Sequence, residues 1–271
     1  IVLLIVAYPL YYVLIASFSD PYAVYAGKTF LVPSGFTFDG YKAVFADPDI
    51  VSGFLNSVKY TVIGTCFSVI MLYITAYPLA DKGLPGRKLI SLFFVFTMYF
   101  GGGMIPTYFV VRSTGLMNSL WSLVIPGLVS PFNLIVMKNF FQGIPQELRE
   151  SARIDGCHEM TLLFRIILPL IMPTIAVLLL YYGVGHWNSW FPASIYLQDN
   201  NKLPIQNVLR AVLIANSNLL NSAAAENDQV NEFAEAIKYS AIVLTTVPVL
   251  CIYPFLQRYF VKGVMIGAVK G

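Results

Sequence analysis

Six long apolar runs dominate this chain and leave it few ways to fold. They read Ile1 to Phe18, Phe54 to Ala80, Leu89 to Val111, Leu120 to Val136, Leu168 to Trp190 and Ala241 to Tyr259. A hydrocarbon layer about 30 Å thick needs about 20 such residues per helix. Inside lipid only helices or closed barrels satisfy every backbone N–H and C=O, and runs of this length are helices. The expectation is an all-α, polytopic membrane protein with six transmembrane helices, forming a single domain over residues 1–271. A balance of 57% hydrophobic against 11% charged residues excludes an ordinary soluble domain. Ile1 already lies inside an apolar run, so a short preceding segment is expected. That run has no basic leader and enters Ser19-Asp20-Pro21 without a small-residue cleavage site, so it reads as a span and not as a secretory signal.

Lysine and arginine placement orients the spans, because cytoplasmic connections carry the excess of positive side chains. Lys82, Arg87, Lys88, Lys138, Arg149, Arg153, Arg165, Arg258, Lys262 and Lys270 fall on one side of the six spans. Lys28, Lys42, Lys59, Arg112, Lys202, Arg210 and Lys238 fall on the other, spread over long connections. The denser set is cytoplasmic. Both termini and the loop 142–168 are then cytoplasmic, and the loop 191–236 is extracytoplasmic. Topology accounts for the net charge of +3, which gives no hint of nucleic acid. Cys66 and Cys251 lie in apolar runs and Cys157 in the cytoplasmic loop, so they read as packing residues and not as a disulfide framework.

An ionisable residue deep in a span normally marks an ion or proton pathway. The central parts of the six runs carry none: Lys59, Lys238 and His186 all sit near expected outer ends. A carrier coupled to ions is hard to build from such spans, so the driving force is expected from another subunit. Gly27-Lys28-Thr29 imitates the end of a phosphate-binding loop, but Tyr22 stands where its first glycine belongs and the segment faces outside. His158 and His186 are on opposite sides of the membrane, which leaves no metal site and no catalytic cluster. The chain reads as a non-enzyme.

Between the fourth and fifth runs lies IPQELRESARIDGCHEMTLLFRIILPLIMP, from Ile144 to Pro173. Pro145 suits the first turn of a helix, Glu147 and Glu150 follow where the dipole favours carboxylates, and Gly156 supplies a stop. Leu148, Ser151 and Ala152 recur at helical spacing, predicting a small apolar face opposite Arg149 and Arg153. Such a face lets another protein come close.

Glycines and prolines interrupt several runs: Gly101-Gly102-Gly103 with Pro106, then Pro126, Gly127 and Pro131, then Pro248 and Pro254. Freed backbone groups at such breaks need neighbouring helices or a wet cavity. Trp121 reads as part of an interfacial aromatic belt. His186-Trp187-Asn188-Ser189-Trp190-Phe191 is different, because it mixes hydrogen-bonding groups with flat apolar faces at the end of a span. A sugar ring needs that mixture, and Tyr181 and Tyr182 extend it inward. The charge-free surroundings favour a neutral, hydroxyl-rich solute.

Glu150-Ser151-Ala152, Gly156 and Ile166-Ile167-Leu168-Pro169 together resemble the EAA coupling loop of ABC importer permeases. YFGGGMIPTYFVVRSTGLMNSLWSLVIPG, GVGHWNSWFPASIYL and KGVMIGAVKG extend the likeness to nearly the whole chain. They resemble permeases of carbohydrate importers of the maltose-transporter type, in particular the subgroup for complex oligosaccharides and polysaccharides that includes alginate importers. The resemblance implies a type I importer permease (MetI-like) fold in the cytoplasmic membrane of a prokaryote. It implies a second homologous permease forming a heterodimer, two ATP-binding subunits, an extracytoplasmic solute-binding protein and a carbohydrate substrate. No cofactor would sit in this chain, with ATP and Mg held by the partner ATPase. Residue by residue, it assigns Glu150, Ser151, Ala152, Asp155 and Gly156 to contact with the ATPase, and the tail holding Lys270 and Gly271 to the ATPase dimer interface. The loop Gln198 to Glu235 would meet the binding protein. Tyr182, His186, Trp187, Asn188 and Trp190 would line the substrate pathway. The rival readings are the same architecture for an amino acid, phosphonate or polyamine, an ion-coupled carrier, and a structural membrane subunit.

Overall fold

Asp47 and Pro48 start the longest helix. The Asp47 Oδ1 accepts the Asp49 N–H at 2.9 Å, and Pro48 takes the first helical position, where a missing N–H costs nothing. The helix then runs 33 residues to Ala80, about 50 Å at 1.5 Å per residue. Pro78 falls in its last turn, and Asp81 Oδ1 takes the Gly83 N–H at 2.9 Å to turn the chain away. In this computed structural model residues 2–221, 237–252 and 254 are described. Their elements are α1 (Val2–Ser17), α2 (Pro21–Tyr25), α3 (Asp39–Ala46), α4 (Pro48–Ala80), α5 (Arg87–Tyr99), α6 (Met104–Ser113), α7 (Trp121–Val124), α8 (Pro131–Gln142), α9 (Gln146–Ile154), α10 (Glu159–Thr161), α11 (Leu168–Leu170), α12 (Met172–Trp187), α13 (Trp190–Tyr196), α14 (Ile205–Asn221) and α15 (Ile237–Ile252). Among the described residues there is no strand, in keeping with the expected all-α class.

The contacts define two compact units, one from Ile1–Lys59 and Asn188–Ile252, the other built chiefly from Tyr60–Trp187. In the first, Tyr12 meets Tyr239 edge to face at 5.8 Å, and Ser240 donates to the Ser17 carbonyl at 3.4 Å, so α1 and α15 pack together. The rings of Phe18, Phe36, Phe38 and Tyr41 cluster around the segment that leads into α3. Asn56 donates to the Asn201 carbonyl at 2.7 Å, and Ser57 Oγ accepts the Ile205 N–H at 2.9 Å, which fixes the start of α14 against α4.

The second unit is built around Leu72, Tyr73 and Ala76 of α4, Leu134, Met137 and Phe141 of α8, and Leu162, Leu163, Ile167 and Leu178, all buried. Leu162–Ile167 forms a π-helical turn, whose cause lies two residues further on. Pro169 has no N–H, and in a regular helix its ring would collide with the Arg165 carbonyl. A widened turn relieves that collision. The Tyr73 hydroxyl donates to the Leu163 carbonyl at 2.7 Å, satisfying one group in the distorted turn.

The six expected spans do not all stand as single helices. Among the described residues α4 alone is long and apolar enough to cross a membrane as a single helix. Three further crossings arise only if bent pairs are counted as one: α5 with α6 at 118°, α7 and its following turn with α8 at 55°, and Glu159–Leu170 with α12 at 82°. The run Leu89 to Val111 is broken at Gly101–Gly103, where its glycines predicted an interruption. Gly103 sits at φ +89°, ψ 177°, a conformation closed to side chains, so the helix cannot pass through it. Pro131 restarts α8 behind a Ser130 cap, and Pro169 with Pro173 breaks the approach to α12.

Candidate functional site

Helix α9 begins one residue later than its sequence suggests, with Pro145 as the flanking residue at φ −54°, ψ 135° and Glu147 in the first turn. Its end is closed by Gly156 at φ +74°. The Gly156 N–H returns to the Arg153 carbonyl at 3.0 Å and the Cys157 N–H to the Ala152 carbonyl at 2.9 Å, the paired bonds that close a helix on a left-handed residue.

The two arginines of α9 hold it to its own unit. Arg149 Nη2 donates to the Phe141 carbonyl at 2.7 Å, serving the C-terminal end of α8, and its guanidinium lies 5.6 Å from the Tyr77 ring centre. Arg153 pairs with Glu159 at 2.6 Å, and the other Glu159 oxygen accepts the Tyr77 hydroxyl at 2.7 Å. The Glu159 carboxylate raises the pKa of the Arg153 guanidinium, first through that hydrogen bond and then through its charge. The end of α4, α9 and the start of α10 thus share one hydrogen-bonded strap.

This arrangement divides the face that sequence spacing drew. Ala152 is buried in the core beside the arginines, whereas Ser151 is exposed. The outward surface of α9 carries Gln146, Glu147, Glu150, Ser151 and Ile154, followed by Asp155 and Gly156. Gln146 Nε2 donates to Glu150 Oε1 at 3.1 Å, holding that carboxylate along the helix. Ile154 is 85% exposed. An aliphatic side chain standing free among polar neighbours is a ready anchor for a partner. Lys270 and Gly271 lie outside the described residues.

The residues expected along a pathway also divide. Tyr182 is buried in the second unit, where its hydroxyl accepts the Ser130 N–H at 2.9 Å and a bond from the Asn133 side chain. It thereby satisfies backbone at the α7–α8 break. His186 stacks on Tyr182 at 6.4 Å, lies 3.4 Å from Ser68 Oγ, and presses so close to Gly64 that a Cβ there would stand 2.8 Å from the ring. Trp187 is buried. In the first unit Asn188 is exposed, and its carbonyl accepts the Trp190 N–H at 2.9 Å. The Trp190 indole is partly open, with the exposed Arg210 guanidinium 4.0 Å from its ring centre. Asn207 Nδ2 donates to the Trp190 carbonyl at 3.0 Å, fixing α14 beneath α13.

Sequence reasoning missed Ile154, Arg210 and the Tyr77–Glu159 pair. Ile154 was within reach, since Glu147, Glu150 and Ile154 follow one another at helical spacing. Tyr77 and Glu159 lie 82 residues apart, and no periodicity brings them together.

A family model for the inner membrane component of binding-protein-dependent transport systems matches residues 50–266. The chain belongs to this family, and it is accordingly a membrane-embedded protein. It is 42% identical over 268 residues to the polygalacturonan/rhamnogalacturonan transport system permease protein YtcP of Bacillus subtilis (strain 168), covering 99% of this chain and 94% of that protein. Protein LplC of the same organism is 43% identical over 267 residues, covering 97% and 89%. Among solved structures, a bacterial ABC transporter involved in the import of the acidic polysaccharide alginate matches with a TM-score of 0.86 and 30% identity, over 95% of this chain and 91% of that one. The likeness to polysaccharide importer permeases drawn from the sequence motifs is borne out, and with it the MetI-like fold.

Proposed function

We propose that this chain is the permease subunit of a binding-protein-dependent ABC importer that moves oligosaccharide or polysaccharide fragments across the cytoplasmic membrane. The observation that carries this reading is the likeness, along nearly the entire length, to a permease named for polygalacturonan and rhamnogalacturonan. The chain performs no covalent chemistry and holds no cofactor; two partner subunits bind ATP with Mg and hydrolyse it. A second homologous permease completes the pathway, and an extracytoplasmic binding protein delivers the sugar to the side of residues 191–236. The chain crosses the membrane six times, several crossings being broken helices, and keeps both termini inside with the tail at Lys270 and Gly271 near the ATPases.

Helix α9 is the docking element. Its outward face at Glu147, Glu150, Ser151 and Ile154 sits in the ATPase, with Asp155 and Gly156 shaping its end and Ala152 packing beneath. Closure of the ATPase pair displaces α9. The strap through Arg149, Arg153, Glu159 and Tyr77 passes that displacement to α4 and α8. Charge-assisted bonds suit this role because they are short and directional. Import follows if the pathway binds sugar differently in its outward and inward states.

The exposed Arg210 on Trp190 favours an acidic sugar over the neutral one expected from sequence. A solvent-exposed guanidinium 4.0 Å from an indole ring centre still has N–H groups to offer a carboxylate. Trp190 lies against it, and the Asn188 carbonyl accepts the Trp190 N–H; Tyr182, His186 and Trp187 belong to the other unit. Uptake of labelled oligogalacturonide by vesicles containing the whole importer and its binding protein tests the reading. Uptake that needs internal ATP and is competed by unlabelled oligogalacturonide supports it. Failure to compete, alongside competition by a neutral oligosaccharide, overturns the acidic assignment. Competition by an amino acid, phosphonate or polyamine overturns the sugar.

A further inference from the structure

Helices α5 and α8 of the second unit flank an open pocket of about 360 Å³ lined by Arg87, Lys88, Ser91, Leu92, Val95 and Lys138. Three cations therefore border one space. Lys138 is half-buried and donates to Ser91 Oγ at 2.9 Å, which pulls its ammonium in toward α5. Among the described residues none of the three is in ion-pair contact with a carboxylate. Arg87 and Lys88 also open α5, whose first turn has neither an acidic residue nor a side-chain cap. Cations there oppose the helix dipole. The local field calls for an anion.

The rest of the lining says what kind of anion. Arg87, Ser91 and Val95 follow at four-residue intervals, as do Lys88 and Leu92, so the basic end passes into apolar surface along one face of the helix. Leu89, Leu92, Phe93 and Phe96 continue that surface and are all exposed. A ligand matching this strip has a negative head and a long apolar tail. We infer that the pocket between α5 and α8 holds the phosphate head of an anionic glycerophospholipid, whose acyl chains lie along α5. The inference rests on the chain being an inner membrane component and not on which solute it carries. A lipid bound here would brace the break between α5 and α6 from the membrane side.

The assembled importer, purified with its ATP-binding subunits from bilayers of phosphatidylglycerol and phosphatidylcholine, supplies the test, with retained lipid counted by native mass spectrometry. Wild type is expected to retain phosphatidylglycerol in preference to phosphatidylcholine. Arg87→Gln and Lys138→Gln should each lower that retention about fivefold, while Lys138→Arg keeps it. Lys88→Gln, at an exposed position, gives the same reading if the others fail to assemble. Equal retention in wild type and variants overturns the proposal. So does release of the bound anion by excess inorganic phosphate, which would mark a soluble-phosphate site. Loss of the ATP-binding subunits from the variants with lipid still retained would assign these cations to a protein contact instead. Because lipid is counted without sugar present, the outcome does not depend on the transport reading.

Discussion

Around α9 the cations are engaged by their own unit, whereas on α14 the cation is displayed. Arg149 and Arg153 bind a carbonyl, a ring and a carboxylate of their own unit, leaving Glu147, Glu150 and Ile154 outermost. Arg210 lies on Trp190 in the open, with no carboxylate in ion-pair contact among the described residues. The lesson is that residue type does not reveal which charges a protein offers to partners. Position relative to the core decides it, and the same arginine chemistry serves as internal fastening in one place and stands exposed beside an indole in the other.

The contrast between inner and outer groups breaks most visibly at the two tryptophans. Trp187 is buried and Trp190 partly open. Trp187→Ala should lower the stability of the purified complex by about 3–5 kcal/mol, the usual range for emptying a buried aromatic site. Trp190→Ala should cost clearly less, because more than a third of its surface already lies in solvent. Thermal melts of the two variants check this, and equal losses would place Trp190 in the core as well. Next in size is Glu150→Lys on the outward face of α9. Reversing a charge in a docked interface costs about 3 kcal/mol, roughly a hundredfold in ATPase-subunit affinity. Co-purification should fail while membrane insertion persists; transport and ATPase stimulation at wild-type levels would remove α9 from the coupling role.

Much of this was legible in the sequence, and the limits have physical causes. Apolar run length located the helices, and Pro145 and Gly156 bracketed α9 to within a residue or so, because caps are local chemistry. Glycines and prolines marked the breaks at Gly101–Gly103 and Pro131, whereas the break at Pro169 was not read from the sequence. Their angles of 118°, 55° and 82° depend on tertiary packing and carry no local signature. Ala152 could face a partner or its own core with the same helical spacing; Tyr77 and Glu159, distant in sequence, settle it by engaging the arginines within their own unit. Tyr182 and Trp187 illustrate the same ambiguity, since an aromatic at the end of an apolar run looks identical buried or exposed.

A smaller effect sharpens the displayed side of the comparison. Arg210→Ala should weaken oligogalacturonide uptake about tenfold in half-saturation, the order expected for one charge-assisted contact. Arg210→Lys should recover only part of this, because an ammonium lacks the planar fork. Uptake of a neutral oligosaccharide of the same length, measured in the same vesicles, should not respond to either change. If Arg210→Ala leaves the acidic sugar unaffected, the displayed arginine belongs to contact with another protein.

The smallest effect tests whether the engaged cations of α9 transmit force or only add stability. Arg153 and Glu159 are about half exposed, so their pair is worth about 0.5–1 kcal/mol after solvent screening. Glu159→Gln removes the charge and weakens the bond from Tyr77, yet leaves the outward face of α9 untouched. Binding of the ATPase subunits should therefore stay at the wild-type level while sugar moved per ATP hydrolysed falls about two- to fourfold. Arg153→Gln should do the same, and the double variant should add little, because both singles cut one strap. The loss should shrink at high salt, where an exposed pair is already screened. A Glu159→Gln variant that loses ATPase binding and transport together would mean the strap only shapes the docking face. Unchanged sugar per ATP in both single variants would leave Arg149, with its bond to the Phe141 carbonyl, as the connection that carries the movement of α9 into the membrane.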